Sequence, residues 1–293
     1  MERLAREFFD GDYFEVFAEK AYPTDGAATD TYPFFPIRRD RVHELCSGLT
    51  PKHVVDIGCG GGHLVEPFLQ AGSAATCVDF SPRMLTWCGR RLKGHAGSKG
   101  NLRFVEACAS DLSGLDDDCA DLVLCVGPLE YCSDDEAKSI LAECARITRP
   151  GGTLISAHLN MLFDLFTLDK FTVEFYRRAL APNFELSDEK LAWVTDRMRS
   201  RLSIPTGEEK TESIRETVKT RTDNPLTVND GFKPFGFTVD TLKFTRFFAA
   251  PPFCGNEDTA IAQHTIGIEK ELSETWVGYV AASSYLVKAT KVG

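Results

Sequence analysis

Residues 54–64 read VVDIGCGGGHL, an aspartate, Asp56, placed two positions ahead of three glycines at alternate positions, Gly58, Gly60 and Gly62. An apolar run ending in a glycine-rich turn that opens a helix leaves backbone N–H groups and the positive end of the helix pointing into the loop. Such a turn anchors something small and often charged. A dinucleotide turn needs G-x-G-x-x-G, so counted from Gly58 the third glycine falls at position 63, which is His63. An acid at position 56 sits badly beside a pyrophosphate and suits a ligand that carries an ammonium group.

Other groups with chemical capacity follow at intervals: Asp79 in CVDFS, Asp111 in CASDLS, Glu130 and Tyr131 in GPLEY, and His158 in ISAHLN. A histidine titrates at roughly 6.5 when unperturbed, so His158 is a candidate for proton removal at neutral pH; the other reading is a histidine that only bonds backbone. Asp79 could cap the helix after it, although Ser81 is better placed. Glu130 could equally begin a helix cap. Ten cysteines contain no C-x-x-C pair and six histidines no H-x-x-x-H pair. No metal site is expected from that spacing, and the cysteines read as small buried hydrophobes.

The elements that must position these groups alternate between β-rich runs and helical patterns from residue 53 to 158, the signature of βαβ units feeding a parallel sheet. HVVDIG, ATCVDF, NLRFVEACA, DLVLCVG and TLISAH read as five strands. Leu64, Val65, Phe68 and Leu69 fall at helical spacing; Ser81 before Pro82 opens a second helix; Ser133 before three acids opens a third. RPGG at 149–152 stops that helix. From 159 to about 204 the pattern is helical and rich in aromatics (Phe163, Phe166, Phe171, Phe175, Tyr176), and a charged stretch follows before two closing strands near 237–248 and 276–289. The fold class is therefore α/β, a Rossmann-like doubly wound sheet of seven strands, mostly parallel with an antiparallel closing strand, plus an inserted helical cap. Its divisions are an N-terminal helical segment, 1–52; the sheet core, 53–158; the cap, 159–225; and C-terminal strands completing the sheet, 226–293.

A net charge of −10 argues against a nucleic-acid surface, which needs clustered Lys and Arg. No stretch approaches the ~18 apolar residues that span a bilayer, and the N-terminus lacks an apolar signal core. The expected location is the cytoplasm, without a membrane partner; a homo-oligomer is open.

The D-x-G-x-G-x-G turn, with acids at 79 and 111 and RPGG before the fifth strand, resembles class I S-adenosylmethionine-dependent methyltransferases over residues 53–158. The resemblance implies S-adenosyl-L-methionine as cofactor and S-adenosyl-L-homocysteine as its product. It implies cofactor contacts from Asp56, Gly58 and Gly60, from Asp79 to the ribose with Phe80 beside the adenine, and from Met84. Asp111, with the Leu112 backbone nearby, would meet the adenine amino group. Gly127 would lie where the fourth strand ends at the donor's methyl, and Tyr13 could close over the donor. His158, Glu130 and Tyr131 are the catalytic candidates. The expected reaction is methyl transfer to O or N of a small molecule enclosed by the aromatic cap, a natural product or sugar-like metabolite. C-methylation, a macromolecular acceptor, a donor-binding protein without turnover and a dehydrogenase are the alternatives.

Overall fold

The computed structural model describes residues 11, 34–94, 101–204, 220–252 and 259–293. Tyr13 lies outside them. Eight strands form one sheet in the order β3-β2-β1-β4-β5-β8-β7, with β6 beside the end of β5. They are β1 His53–Ile57, β2 Ala74–Asp79, β3 Leu102–Glu106, β4 Ala120–Cys125, β5 Thr148–Asn160, β6 Thr222–Asp223, β7 Phe237–Phe247 and β8 Ala282–Lys291. β1 to β6 pair in parallel, whereas β8 runs antiparallel between β5 and β7. The doubly wound, mostly parallel sheet expected from the sequence is the fold observed.

Ten helices accompany the sheet among the described residues: α1 Phe34–Leu45, α2 Glu66–Gln70, α3 Pro82–Leu92, α4 Asp134–Ile147, α5 Asp164–Thr167, α6 Lys170–Phe175, α7 Asp188–Arg201, α8 Val228–Phe232, α9 Thr259–Leu272 and α10 Gly278–Ala281. One face of the sheet buries Val54, Cys77, Leu122, Leu124 and Ile155 under Val42 and Leu45 of α1, Phe68 and Leu69 of α2 and Cys88 and Leu92 of α3. The other buries Val55, Val78, Val123 and Leu154 under Ile140, Leu141, Cys144 and Ile147 of α4, with Phe232, Phe237 and Tyr285 completing it. Burying both faces is what makes the central strands near-continuous apolar runs.

The helix starts follow local chemistry. Ser81 Oγ accepts from the Met84 N–H at 3.2 Å, with Pro82 in the first turn. Ser133 and Glu136 form a reciprocal capping box, Ser133 N–H to Glu136 Oε2 at 2.6 Å and Glu136 N–H to Ser133 Oγ at 3.2 Å.

Three expectations change. RPGG does stop α4, but it lies inside β5, which starts at Thr148 and shifts register against β4 between Ala120 and Leu122. The last strand starts at Ala282, not 276, because Gly278–Ala281 turns helically. Asn160 Nδ2 holds that corner by donating to the carbonyls of Gly278, Tyr279 and Ala282 at 3.2, 3.0 and 2.8 Å. The end of the expected cap contributes an eighth strand, Thr222–Asp223, parallel to Leu159–Asn160.

Candidate active site

The carboxyl ends of the parallel strands meet at one edge, where ligands bind in open α/β sheets. β1 delivers Asp56 and the glycine turn there. Gly58, Gly60 and Gly62 have φ of 71°, 49° and 70°, values that L side chains adopt with strain. The turn folds back on β2: the N–H groups of Gly58 and Cys59 donate to Val78 O at 2.8 and 3.0 Å. A Cβ on Gly58 would stand 2.8 Å from Pro128 Cγ, so the turn lies directly against the segment after β4.

Asp56 is buried, and neither carboxylate oxygen has a hydrogen-bond partner. Burial pushes its carboxyl well above the usual range, with Cys88 and Asp79 adding to the effect. Asp79, at the end of β2, is buried and accepts from the N–H groups of Gly60 through Oδ2 and Ser81 through Oδ1, both at 3.0 Å. Phe80 is half-buried and Met84 buried at the start of α3. Gly127, φ 127°, follows β4 with open space where a side chain would stand.

Asp111 and Leu112 follow β3, the neighbour of β2 in the sheet. Asp111 is exposed, and its Oδ1 accepts from the Ser113 N–H at 3.2 Å, bonds to Ser113 that hold its carboxyl below the usual value. The Leu112 N–H donates to Glu143 Oε2 at 2.7 Å, and its side chain is fully buried in the core. The polar loop was legible as a loop, but a donor's partner cannot be read from spacing.

At the ends of β4 and β5 the polar groups are tied together. Glu130 is 1% exposed and both its oxygens meet Arg38 Nη1, at 3.0 and 3.1 Å. That arginine comes from α1 and lies 4.6 Å over the Phe34 ring. Tyr131 follows, half-buried, its N–H on Pro128 O at 3.3 Å. His158 is not the last residue of β5: it is 2% exposed two residues before the strand's end. Its Nε2 meets Ser156 Oγ at 2.8 Å and its Nδ1 meets Asp223 Oδ2 at 2.7 Å. Burial raises the Asp223 carboxyl, but bonding to His158 and Arg221 outweighs burial and leaves it lowered. Arg221 donates to Asp223 through both terminal nitrogens, to Asp134 Oδ1 at 3.0 Å through Nε, and to Glu130 O at 2.9 Å through its backbone. Tyr285 stacks on His158 with centroids 5.3 Å apart, its hydroxyl buried without a partner.

Several of these residues gave no sequence signal. Arg38, Arg221 and Asp223 belong to segments whose charges look like ordinary solvated surface. His63, noticed only as a missing glycine, is buried 5.6 Å from the Trp87 ring; burial, then Arg91 and Arg39, pushes it down to about 3.

A methyltransferase-domain family model matches residues 54–152. The ubiquinone biosynthesis O-methyltransferase of Xanthomonas oryzae pv. oryzae is 31% identical over 172 residues, 58% of this chain and 68% of that protein. The enzyme of the same name from Cronobacter sakazakii is 28% identical over 190 residues, covering 62% and 76%. The chain belongs to the class I S-adenosylmethionine-dependent methyltransferases. Solved structures agree on the fold. Magnesium protoporphyrin IX methyltransferase from Synechocystis PCC 6803, crystallised with bound SAH, covers 99% of both chains at TM-score 0.60 and 14% identity. The 1,6-didemethyltoxoflavin-N1-methyltransferase of Burkholderia thailandensis covers 100% of this chain and 89% of its own, at TM-score 0.55 and 16% identity.

As a methyltransferase the protein uses S-adenosyl-L-methionine, which supplies a methyl group already activated on a sulfonium. The residues present fit that cofactor: an orphaned buried carboxyl group at Asp56 matches an ammonium group, and a second buried acid, Asp79, ends the neighbouring strand. No helix among the described residues is long and apolar enough to cross a membrane.

Proposed function

We propose that this methyltransferase transfers the methyl group to an oxygen of a small hydroxylated acceptor, of the kind met in ubiquinone biosynthesis. The observation that carries the choice of oxygen is the likeness to O-methyltransferases over two thirds of their length. In this reading Asp56 holds the donor's ammonium group, Asp79 the ribose, and Gly58, Gly60 and Gly127 let the backbone come close. Phe80 and Met84 flank the adenine. Asp111 meets the adenine amino group, its Oδ1 also taking the Ser113 N–H, while the Leu112 N–H is bonded to Glu143.

Catalysis is chiefly alignment, because the methyl group needs no further activation. Glu130 and Tyr131 border the methyl position after β4, with Glu130 fixed by Arg38. His158 acts through position: with both ring nitrogens bonded and 2% exposure, it fixes Asp223 and Arg221, whose backbone bond holds the Glu130 turn. The described part of the cap over 159–204 borders the acceptor, with the aromatic side chains between Phe163 and Tyr176 supplying apolar wall. Calorimetry with S-adenosylhomocysteine, followed by labelled-donor assays on phenols and matched anilines, tests this reading. One-site binding with transfer to the phenol alone is expected. Transfer to the aniline alone overturns oxygen as the acceptor atom.

A further inference from the structure

The sequence shows no cysteine pair at ligand spacing, yet the fold gathers three thiols behind the glycine turn. Cys59 lies in the turn, Cys77 in β2 beside Asp56 in the sheet register, and Cys88 in α3. Their sulfur atoms all lie within 4.8 Å of one another, and all three residues are buried. We propose that Cys59, Cys77 and Cys88 form a three-coordinate sulfur site for a soft monovalent cation of the Cu(I) type.

Three features support the assignment. Three sulfurs placed ~2.3 Å from a central ion stand about 4 Å apart, so thiols already within 4.8 Å need only a small contraction to ligate one. Thiolate ligands select soft ions. Among the described residues no histidine or carboxylate joins this group at that range, so the site offers three ligands and not the four of a closed zinc site. The surroundings also leave room. Gly62 has no side chain where a Cβ would stand 2.7 Å from Cys88 Sγ.

Loading is a coordination step with no redox change: one cation enters, three S–metal bonds form, and the thiol protons leave to solvent. It ties the donor turn, through Cys59, to β2 and α3. Its three ligands lie in the turn, β2 and α3, elements other than those that carry Glu130 and His158.

The test is anaerobic titration of the reduced full-length protein with Cu(I) buffered by bathocuproine disulfonate, read from the chelator's absorbance. One Cu(I) per chain is expected, with a higher melting temperature in the loaded protein because the ion binds only the native state. X-ray absorption should show three sulfur neighbours and no nitrogen or oxygen. Cys59→Ser, Cys77→Ser and Cys88→Ser should each weaken binding at least 100-fold, while Cys108→Ser leaves it unchanged. Circular dichroism of each variant establishes that it folds, and the wild-type absorption spectrum stands independently of the variants. Binding unaffected by the three substitutions overturns the proposal. So does a two-sulfur environment, or Zn(II) bound more tightly than Cu(I) with a fourth light-atom ligand.

Discussion

The two ends of the carboxyl edge are built on opposite plans. At the β1–β2 end Asp56 is buried with both oxygens unbonded, while Asp79 accepts from the Gly60 and Ser81 N–H groups. At the β4–β5 end Ser156, His158, Asp223, Arg221 and Asp134 bond in sequence, and Glu130 is closed by Arg38. An unsatisfied buried carboxylate costs stability, and only a ligand repays that cost. A completed network rigidifies its neighbourhood and leaves little free valence for a ligand. The contrast is one of carboxyl groups: Asp56 keeps two unbonded oxygens at the end proposed to grip the donor, while Glu130 and Asp223 are bonded to Arg38, His158 and Arg221 at the other.

The largest break in this comparison comes from opening the closed end. Arg38→Met leaves Glu130 buried without its partner and should lower stability by about 4 kcal/mol in urea unfolding. Glu130→Gln in the same chain should recover most of that loss. If Arg38→Met alone costs under ~1 kcal/mol, the pair is a surface contact in energetic terms and the frame is held elsewhere.

Asp223→Asn keeps the shape of the network and removes its charge. About 2 kcal/mol of stability should be lost, with S-adenosylhomocysteine affinity within twofold of wild type. A large loss of affinity would move His158 and Asp223 from the frame into the donor site. Asp56→Asn should do the reverse: affinity falls at least tenfold in calorimetry, worth about 1.4 kcal/mol or more, while stability stays level or rises as an uncompensated acid is removed. Unchanged affinity would take Asp56 out of the donor site.

The smallest effects separate the two kinds of buried titrating group by the sign of their pH dependence. Glu269 of α9 is raised from 4.5 to about 7, chiefly by burial. Its native form keeps a proton that the unfolded chain releases, so its contribution to stability is present below pH 4.5 and lost as pH rises through about 7. His63 is lowered from 6.5 to about 3, so the unfolded chain binds the extra proton and stability rises with pH across that interval. Melting curves from pH 4 to 7.5 should show Glu269→Gln losing the first slope and His63→Gln the second. Parallel curves for wild type and variants would mean that neither group titrates differently on folding.

What could be read in advance divides along the same line. The glycine turn, Ser81 with Pro82 and the Ser133 capping box are local patterns, because a turn, a cap and a strand alternation each involve residues within a few positions. The proposed donor site is made largely of such pieces, at the ends of successive strands. The closed network and the thiol cluster are not. Arg38 reaches Glu130 across 92 positions and His158 meets Asp223 across 65.

The sequence by itself determined the parallel α/β core, the positions of the donor turn and of Asp56 and Asp79, and the family, since all of these are carried by short-range spacing. Only the tertiary structure decided that β8 slots between β5 and β7, that Leu112 gives its N–H to Glu143, that His158 is bonded on both nitrogens, and that Cys59, Cys77 and Cys88 converge. The reason is physical. A side chain's partner is chosen by which elements the core brings face to face, and packing joins residues whose separation along the chain holds no trace of their contact.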